Sequence, residues 1–596
     1  MLERTQILIC GGTGCLSSKS DEIKAEFDKH LTELGIRDEV RLVLTGCFGL
    51  CEKGPVVVVY PDETFYSQVK LYDIKEICEE HIYKGRIVKR LVVEDAIEED
   101  KIKSLKELAF YEPQERIALR NCGVIDPLQI DEYIAREGYL ALGTILDSMS
   151  DQDVIDTLKE SGLRGRGGGG FPTGLKWQFA KNNEADQKYV ICNADEGDPG
   201  AFMDRAILEG DPHNILEAMA ICGYAIGANE GYIYIRAEYP LAIERLRNAI
   251  KQAKEYNLLG KNIFNSGFDF DIKIKYGAGA FVCGEETALI NSMEGNRGEP
   301  TSKPPFPAES GFWNKPTNVN NVETFANIPA IFLKGTKWFK SFGTELSPGT
   351  KVFSLAGKIN NVGLIEVPMG TTLREVIYEI GGGIVNGKKF KAVQTGGPSG
   401  GCLTEDDLDT PIDFDSLTAK GSMMGSGGMI VMDEDDCMPS IAQFYLEFTE
   451  EESCGKCTPC RIGTKRLLEV LQNITSGKGD ANSIRELRRL STVIKETSLC
   501  GLGQTAPNPI LSTLDKFENE YIAHIKHKKC TAHQCIDLIQ VLIDPSECIG
   551  CTACKRVCPT NCITGSTKKI HSINQEDCTK CKACIAACKF DAIFVK

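Results

Sequence analysis

Cysteine clustering constrains this chain more than any other feature of its 596-residue sequence. The chain contains 26 cysteines, and most of them fall into short, regularly spaced groups. The N-terminal residues lack the basic region, apolar stretch and cleavage site of an export signal, so a disulfide framework is not expected. Grouped cysteines in such a chain indicate metal or cluster ligation. Seven scattered ones are interpreted as small buried apolar residues: Cys78, Cys122, Cys192, Cys222, Cys283, Cys402 and Cys437.

The last sixty residues contain the most specific motif. Cys548-x2-Cys551-x2-Cys554-x3-Cys558-Pro recurs thirty residues later as Cys578-x2-Cys581-x2-Cys584-x3-Cys588, with Lys589 in place of the proline. This repeat is typical of a bacterial ferredoxin module with two [4Fe–4S] clusters, in which the fourth cysteine of each run ligates the other cluster. The predicted ligand sets are Cys548, Cys551, Cys554 and Cys588 for one cluster, and Cys578, Cys581, Cys584 and Cys558 for the other.

Two further groups precede this repeat. Cys10-x4-Cys15 and Cys47-x3-Cys51 each follow a predicted strand, and four thiolates on such loops suit a [2Fe–2S] cluster. The first 85 residues resemble the thioredoxin-like ferredoxins, whereas the alternative, a redox dithiol, normally requires a C-x-x-C motif that is absent here. Three more thiolates lie within seven residues, and Cys500 is the candidate fourth ligand of a [4Fe–4S] site formed with Cys454, Cys457 and Cys460.

A possible zinc site lies between the helical region and the repeat. His524, Cys530 and Cys535, with Cys562 just past the first cysteine run, supply three thiolates and an imidazole, a set that suits structural Zn²⁺. His527 and His533 are competing ligands. The alternative is that these residues are free thiols and a surface histidine.

Length, charge and patterning limit the remaining possibilities. A chain this long should form three to five domains, and its net charge of −16 argues against a nucleic-acid partner. The longest apolar runs are strand-length, so no membrane insertion and a cytoplasmic location are expected. The patterning predicts β–α–β–β–α over 1–85 and an α/β region over 110–345. Residues 350–432 are predicted to form short strands and Gly-rich turns around one helix at 372–380, and residues 438–525 are predicted to be helical. The charged stretch at 94–107 is interpreted as a linker.

A Gly-rich segment at 164–177 begins the α/β region. A Gly-rich segment by itself is more often a flexible loop than a phosphate-binding loop. This one matches neither the Rossmann dinucleotide-binding motif nor the P-loop motif. It combines exposed backbone N–H groups with the cations of Arg164, Arg166 and Lys176, and both Lys176 and Arg166 could pair with phosphate. Four more segments accompany it: Asn193-Ala-Asp195-Glu196, the run from Gly277 to Ala288, Lys303-Pro-Pro-Phe306, and Asn320-Asn321-Val-Glu-Thr324.

Together these segments resemble the flavin-bearing NADH-binding subunit of respiratory complex I, from about residue 110 to 525. With its ferredoxin-like ends, the chain is most similar to the beta subunits of cytoplasmic NAD-linked [FeFe] hydrogenases, including electron-bifurcating ones. The implied fold is multidomain α/β and α+β. Its predicted domains are a thioredoxin-like [2Fe–2S] domain (1–90), an FMN/NADH-binding core (110–345), a β-grasp-like domain (346–435), a helical-bundle [4Fe–4S] domain (436–527) and a two-[4Fe–4S] ferredoxin domain (528–596).

The resemblance also implies the site residues. FMN would contact Gly165, Arg166, Gly167, Lys176, Asn193, Asp195, Glu196, Gly284, Glu285, Asn320, Asn321, Thr324 and Leu502, while Phe281 replaces the usual tyrosine. NADH would stack its adenine among Phe171, Phe179 and Phe306, with Lys303 and Asp198 nearby. An acidic group at Glu285 or Glu286 near the adenosine ribose would accept a 2′-hydroxyl and repel a 2′-phosphate, which favours NAD over NADP.

The implied activity is hydride transfer from NADH to FMN, followed by single-electron transfer to clusters, first to the one at Cys454. No protein acid or base is predicted. The expected partners are a hydrogenase-type catalytic subunit, a small [2Fe–2S] subunit and ferredoxin. The alternatives are a subunit of a formate dehydrogenase complex, a complex I subunit proper, and a non-enzymatic multi-cluster electron-carrying scaffold.

Overall fold

The structure is a computed structural model that describes residues 3–93, the backbone of 97–98 and 101–102, and residues 107–596. Most of the predicted linker at 94–107 lies outside the described residues. The chain divides into a first compact unit, up to Met432 with Leu499–Leu502, and a second, Asp433–Ser498 with Gly503–Lys596. In the part of the chain that is described, no helix is both long enough and apolar enough to cross a membrane.

The N-terminal domain of the first unit is a four-stranded sheet with helices. Its elements are β1 (Thr5–Cys10), α1 (Thr13–Ser17), α2 (Ser20–Glu33), β2 (Val40–Thr45), β3 (Val57–Tyr60), β4 (Thr64–Tyr66) and α3 (Ile74–Glu76), which continues as a π-helix, Ile77–Tyr83. The sheet order is β2-β1-β3-β4, with β1 parallel to β2 and antiparallel to β3. The predicted element order is therefore present with two additions, the short helix α1 and the strand β4, whose three residues are too few to show a period of two. A short antiparallel pair, β5 (Ile97–Glu98) and β6 (Lys101–Ile102), follows.

The α/β core is built on a five-stranded sheet in the order β11-β7-β8-β10-β9. Its strands are β7 (Tyr189–Ala194), β8 (Glu230–Arg236), β9 (Gly260–Ile263), β10 (Phe268–Gly277) and β11 (Thr317–Asn321), all parallel except β9. The helices are α4 (Ile130–Ile134), α5 (Leu140–Ser148), α6 (Asp151–Ser161), α7 (Thr173–Asn182), α8 (Met203–Gly210), α9 (Pro212–Ile226), α10 (Pro240–Glu255), α11 (Glu286–Met293), α12 (Pro307–Ser310), α13 (Val322–Lys334) and α14 (Thr336–Lys340). Nearly every residue of α9 is buried, so this helix forms the centre of the core. Ligands of such sheets bind beyond the carboxyl ends of the strands.

A β-grasp-like domain completes the first unit. Its strands are β12 (Thr350–Gly357), β13 (Gly363–Pro368), β14 (Phe390–Thr395), β15 (Gly401–Leu403) and β16 (Gly428–Asp433), and its helix is α15 (Phe414–Ala419). The sheet order is β13-β12-β16-β14-β15, with β12 antiparallel to β13 and parallel to β16. The helix predicted at 372–380 is a π-helix limited to Glu375–Ile380.

The second unit contains a helical bundle and a small Cys-rich domain. The helices are α16 (Met438–Glu451), α17 (Thr458–Thr475), α18 (Ser483–Thr497), α19 (Gly501–Thr505, which begins in the first unit) and α20 (Asn508–Lys526). Buried leucines of α17 and α18 pack with α16 and α20 in one apolar cluster. The Cys-rich domain has two antiparallel pairs, β17 (Val541–Ile543) with β20 (Ile593–Val595) and β18 (Ile563–Thr564) with β19 (Ser572–Ile573), and helices α21 (Ala553–Val557) and α22 (Ala583–Ala586).

Candidate functional site

A cavity of about 480 Å³ lies beyond the carboxyl ends of β7 and β11. We call it the sheet-edge cavity. Fifteen of the predicted cofactor-binding residues line it: Gly165, Gly167, Phe171, Lys176, Asn193, Asp195, Glu196, Asp198, Gly284, Glu285, Glu286, Asn320, Asn321, Thr324 and Leu502. Four others, Arg166, Phe179, Lys303 and Phe306, are not in direct contact with the cavity. The volume falls in the range of small-molecule and cofactor pockets.

The Gly-rich loop forms one wall of the sheet-edge cavity and requires its glycines. Gly168 has a φ of +118°, and a β-carbon added there would lie 3.2 Å from the backbone of Gly425. A β-carbon on Gly167 would lie 3.0 Å from the β-carbon of Asn321. Because side chains are sterically excluded, the backbone itself faces the cavity, which suits close approach of a planar or phosphorylated ligand.

Arg166 does not act as predicted. Its guanidinium is fully buried and donates to the carbonyl oxygens of Thr350 at 3.0 Å, Pro348 at 2.7 Å and Arg164 at 3.0 Å. Burial lowers the pKa of Arg166 to about 10. The prediction that this side chain pairs with phosphate is wrong, because backbone carbonyls occupy its donors. Its backbone N–H donates to the hydroxyl of Thr324 at 2.8 Å. Arg166 therefore holds the Gly-rich loop in place, and its side chain does not contact the cavity.

The N-terminus of α13 meets the Gly-rich loop and can hold an anion. Asn321 is the N-cap of this helix and accepts the N–H of Thr324 at 3.2 Å. The neighbouring Asn320 accepts the indole N–H of Trp177 at 2.9 Å through its Oδ1, so its amide nitrogen is the group left for a ligand. Backbone N–H groups, a helix N-terminus and a side-chain amide form a donor set that fits FMN.

Carboxylate side chains also line the sheet-edge cavity. Glu196 accepts the N–H groups of Asp204 at 3.1 Å and Arg205 at 3.2 Å, and burial raises its pKa. Asp198 accepts the hydroxyl of Ser426 at 2.6 Å, and burial raises its pKa as well. An acidic wall of this kind favours a ligand that presents hydroxyl and amide donors there and keeps its phosphates at the Gly-rich loop.

The paired glutamates at the start of α11 have different surroundings. Glu285 caps the helix by accepting the N–H groups of Thr287 at 2.9 Å and Ala288 at 3.0 Å. Glu286 accepts from the ammonium groups of Lys176 and Lys303, each at 2.8 Å. Although burial opposes ionisation, these two cations hold the pKa of Glu286 at about 2. Ionised Glu286 therefore stabilises the pocket above about pH 4.5, and this contribution is lost as the pH falls from there towards 2.

Three phenylalanines provide exposed aromatic faces near the sheet-edge cavity. Phe171, Phe179 and Phe306 are 48%, 45% and 52% exposed, well above what a packed core allows. The ring centroids of Phe171 and Phe179 lie 6.4 Å apart, and only Phe171 lines the cavity itself. Exposed rings beside a cavity can stack a planar base.

Two loops of the β-grasp-like domain also line the sheet-edge cavity, and no predicted site residue lies on them. Gly396 and Ser399 come from one loop, and Met423, Gly425 and Ser426 come from the other. The glycine pairs at 396–397 and 427–428 were a usable signal, because Gly-rich turns often mark close approach to a ligand. Asp204, on α8, also lines the cavity. It was not predicted from the sequence because it belongs to no local motif.

The four N-terminal cysteines converge on one point. Cys10 Sγ interacts with the thiols of Cys15 and Cys47, and Cys47 Sγ lies 3.9 Å from Cys51 Sγ. We call these residues the N-terminal cysteine group. Four adjacent thiols on two loops fit a [2Fe–2S] cluster.

In the second unit, Cys454, Cys457 and Cys460 lie at the start of α17. Cys457 is the N-cap of that helix, and Cys460 lies in its first turn with its Sγ 3.2 Å from the hydroxyl of Ser453. A helix N-terminus stabilises thiolates, which are the form that binds iron. Cys500 belongs to the segment Leu499–Leu502 of the first unit, and its role as fourth ligand stays a prediction.

The C-terminal repeat forms two small cavities that separate its cysteines into two sets. One cavity is lined by Cys548, Cys551, Cys554 and Cys588, and the other by Cys558, Cys562, Cys578, Cys581 and Cys584. Each cavity thus receives three thiols from one run and the last thiol of the other run. This is the arrangement that the repeat predicts for two [4Fe–4S] clusters, whose ligation stays a prediction.

The candidate metal site has a different fourth member from the predicted one. The ligand atoms of Cys437, His524, Cys530 and Cys535 all lie within 4.8 Å of one another, and all four residues are buried. Cys562 lies elsewhere, with its Sγ 3.4 Å from that of Cys558, so its assignment to this site is corrected. The competing His527 and His533 are likewise outside the group. We call the four residues the buried Cys3His group.

The geometry of the buried Cys3His group fits a tetrahedral ion. The Sγ atoms of Cys437 and Cys535 are 3.6 Å apart, close to the about 3.8 Å expected around Zn²⁺ with bonds of about 2.3 Å. His524 Nε2 lies 3.4 Å from Cys437 Sγ and 3.3 Å from Cys535 Sγ. Its Nδ1 donates to the carbonyl of Glu520 at 2.7 Å, which orients Nε2 towards the ion position. Cys437, interpreted from the sequence as a scattered buried residue, is therefore a candidate ligand of this site.

Five family models match the chain, and they agree with this arrangement. They describe a thioredoxin-like [2Fe–2S] ferredoxin (residues 2–81), the Nuo51 FMN-binding domain (158–330), an SLBB domain (352–403), the NADH-ubiquinone oxidoreductase-F iron–sulfur binding region (440–524) and a 4Fe–4S dicluster domain (547–592). FMN, a [2Fe–2S] cluster and [4Fe–4S] clusters are thus the cofactors of these domains.

Curated relatives and solved structures extend the similarity. The chain is 66% identical over 480 residues to the NADP-reducing hydrogenase subunit HndC of Solidesulfovibrio fructosivorans, covering 80% of this chain and 98% of the relative. It is 46% identical over 419 residues to an F-type subunit of the NADH-quinone oxidoreductase of Rhizobium meliloti, covering 70% of this chain and all of the relative. A chain of a NAD⁺-reducing [NiFe]-hydrogenase superposes with a TM-score of 0.62 at 27% identity, over 88% of this chain and 85% of that one. The chain therefore belongs to the FMN-binding family of the complex I 51 kDa subunit, and it is a flavin iron–sulfur oxidoreductase subunit of the hydrogenase or complex I type.

Proposed function

We propose that the chain is the diaphorase subunit of a cytoplasmic hydrogenase complex. In the sheet-edge cavity it exchanges hydride between NAD(H) and FMN, and it relays single electrons through one [2Fe–2S] and three [4Fe–4S] sites. The observation that carries the proposal is the juxtaposition, in one cavity, of a Gly-rich backbone wall, the N-terminus of α13 and an acidic wall. When bound, FMN accepts two electrons together and releases them singly, as iron–sulfur clusters require.

The residues of the chain supply binding, orientation and polarity. The Gly-rich loop and the start of α13 would hold the flavin phosphate through backbone N–H groups. Asn193 is fixed by donating to the carbonyl of Gly284 at 2.9 Å, and with Asn320 it would orient the flavin ring. The exposed rings of Phe171 and Phe306 would stack the adenine of the dinucleotide. No side chain is assigned a proton-transfer role.

NAD(H) is proposed as the nucleotide because of the charge at the start of α11. Glu286 stays ionised through its pairing with Lys176 and Lys303, and a fixed carboxylate beside a ribose accepts the 2′-hydroxyl and repels a 2′-phosphate. The names of the two similar hydrogenases differ in the nucleotide, since one is NADP-reducing and the other is NAD⁺-reducing. The fixed charge of Glu286 favours NAD(H).

The proposed complex contains a hydrogenase-type catalytic subunit, a small [2Fe–2S] subunit and ferredoxin as an electron carrier, and it bifurcates electrons. Two hydrogenase subunits among the similar proteins support this choice. Once the grouped cysteines are assigned to clusters, no further cysteine motif remains for hydrogen chemistry, so that step belongs to another subunit.

The test is anaerobic mixing of the purified complex with NADH while flavin absorbance is recorded. Flavin bleaching by NADH, with much weaker bleaching by the same concentration of NADPH, is expected. A flavin that neither nucleotide reduces, or the absence of flavin, would contradict the proposal. The remaining hypothesis would then be the non-enzymatic multi-cluster electron-carrying scaffold.

The copurifying polypeptides test the choice of complex. A large cluster-rich hydrogenase subunit is expected. A molybdenum- or tungsten-containing subunit would replace the hydrogenase assignment with a formate dehydrogenase complex. Electron bifurcation requires that H₂ reduce ferredoxin only when NAD⁺ is also present, because the electrons from H₂ are then divided between these two acceptors; reduction of ferredoxin by H₂ without NAD⁺ would contradict it.

A further inference from the structure

One buried carboxylate outside the sheet-edge cavity is directed at the N-terminal cysteine group. Glu209, near the end of α8, is 2% exposed. It accepts the backbone N–H of Thr13 at 3.0 Å and also accepts the Thr13 hydroxyl. Thr13 lies between the ligands Cys10 and Cys15, so a side chain of the α/β core contacts the loop that would hold the cluster.

A buried arginine fixes the same loop from a second helix. Arg245, on α10, is 2% exposed and donates to the carbonyl of Gly11 at 2.9 Å and to the backbone carbonyl of Glu209. The carbonyl of Gly11 and the N–H of Thr13 are thus bound by the core, and the N–H of Thr13 is not available to the cysteine sulfurs. Hydrogen bonds to cluster sulfurs and local charge are two of the factors that set the reduction potential of an iron–sulfur cluster.

The second cysteine loop is held equally closely. A β-carbon added to Gly46 would lie 2.5 Å from the α-carbon of Gly210, the residue that follows Glu209. Such a close backbone approach leaves no room for water between α8 and the loop. Because water is excluded there, the charge of Glu209 is poorly screened and acts strongly at short range.

Two guanidinium groups lie beside Glu209 and offset part of its charge, so its contribution is the difference that its own negative charge makes to the cluster. The guanidinium of Arg245 binds backbone carbonyls, and that of Arg205 lies 3.8 Å from the Glu209 carboxylate. A negative charge beside a cluster disfavours the electron that reduction adds to it. Adding one electron converts one ferric ion of an oxidised [2Fe–2S] cluster to ferrous iron, and Glu209 makes that step less favourable.

We propose that Glu209 is a positioning and potential-setting residue for the N-terminal [2Fe–2S] cluster: it fixes the loop between Cys10 and Cys15 and lowers the reduction potential of the cluster held there. The other end of α8 borders the sheet-edge cavity through Asp204, five residues or about 7.5 Å along the helix axis from Glu209. If the proposed function holds, the low potential limits storage of an electron on this cluster after NADH oxidation.

The test is an anaerobic redox titration of the full-length protein with dithionite and mediators, followed by electron paramagnetic resonance of the [2Fe–2S] signal. Glu209→Gln keeps the size of the side chain and removes its charge, so the midpoint potential is expected to rise while iron content is retained. Glu209→Asp keeps the charge and should stay near the wild-type potential. Glu244→Gln, a neutralised exposed glutamate next to Arg245, should not shift it.

A second variant keeps the proposal testable if Glu209→Gln cannot hold its cluster. Thr13→Ala removes one donor from the carboxylate and leaves its charge less compensated, so the midpoint potential should fall. An unchanged potential in a cluster-loaded Glu209→Gln protein, or a raised one in Thr13→Ala, would overturn the proposal. Because dithionite reduces the cluster without NADH or flavin, this outcome is independent of whether the proposed NADH reaction is found.

Discussion

Adjacent residues of this chain can have different roles, as Glu285 and Glu286 show. Both pair with Lys303, but Glu285 also accepts two backbone N–H groups at the start of α11, whereas Glu286 also binds Lys176 beside the sheet-edge cavity. The motif that contains both indicates a nucleotide site and cannot tell them apart. Arg166 is a similar case, since its place in a Gly-rich loop suggests phosphate binding but its buried guanidinium binds carbonyls.

Neutralising Glu286 should relax nucleotide selectivity. In Glu286→Gln the ammonium group of Lys176 loses its anionic partner, Lys303 keeps only Glu285 at 3.0 Å, and the repulsion of a 2′-phosphate by Glu286 disappears. We expect kcat/KM for NADPH to rise about tenfold relative to NADH, which corresponds to about 1.4 kcal/mol. Steady-state kinetics with both nucleotides and an artificial electron acceptor measure this ratio. Glu184→Gln, at an exposed position, is the control, and an unchanged ratio in Glu286→Gln would refute the assignment.

The glycine at position 168 should be essential for flavin binding. A methyl group on Gly168 is strained at a φ of +118° and lies against the backbone of Gly425, so the loop must move. Gly168→Ala is expected to lose most of its bound flavin, measured as the flavin-to-protein ratio after purification. Gly428→Ala adds a methyl group that meets nothing within 4 Å, and it should keep the wild-type ratio. Equal flavin content in both variants would contradict this interpretation.

At the scale of elements, long periodic segments were predictable and short or irregular ones were not. The helices α6 and α10 have buried residues that recur at helical spacing over 151–161 and 240–255, a pattern that can be read from the sequence. Strand β4 was not predicted, because three residues show no period. The helix predicted at 372–380 is present, but its π-helical form over Glu375–Ile380 was not predicted, because a π-helix has a different period from an α-helix. Cysteine spacing predicts which thiols of one short run lie together, as the three cysteines of each C-terminal run do in their cavity.

The buried Cys3His group shows the limit of spacing, and its composition can be tested. Cys437 precedes α16, almost a hundred residues before Cys535, and joins the group only because α16 packs against α20. Cys437→Ser should lose its bound zinc, whereas Cys562→Ser should keep it. Metal analysis of the purified proteins by mass spectrometry distinguishes the two. Zinc lost from Cys562→Ser and retained in Cys437→Ser would restore the ligand set that the sequence suggested.

At the scale of the whole molecule, the N-terminal domain is fastened to the rest of the first unit through its cysteine loops. The amide of Leu364 donates to the carbonyl of Gly49 at 2.7 Å, and the guanidinium of Arg116 donates to that of Phe48 at 2.8 Å. Glu209 and Arg245 bind the other loop. The candidate cluster site is therefore part of a packed interface within the first unit rather than a separate ferredoxin module.

A single methyl group should loosen this interface. Gly46→Ala places a β-carbon 2.5 Å from the α-carbon of Gly210, and overpacking of this kind typically costs about 1–3 kcal/mol. Hydrogen exchange measured by mass spectrometry should increase in the peptides that contain residues 46–51 and the end of α8. Gly14→Ala, in the other cysteine loop, meets nothing within 4 Å and serves as the control. Protection equal to that of the wild type in Gly46→Ala would show that the interface tolerates the added atom.

The sequence by itself determined the kinds of cofactor and the local ligand groups. Thiolate spacing, Gly-rich loops and helix periodicity act over a few residues and do not depend on how distant segments meet. Tertiary structure alone decided that Arg166 faces away from the sheet-edge cavity, that two loops of the β-grasp-like domain line it, and that Cys437 joins His524. These facts depend on contacts between residues far apart in the chain, and such contacts arise from packing between domains and helices. The local sequence shows features such as the glycine pairs of the two loops, but it does not show which distant segments they meet.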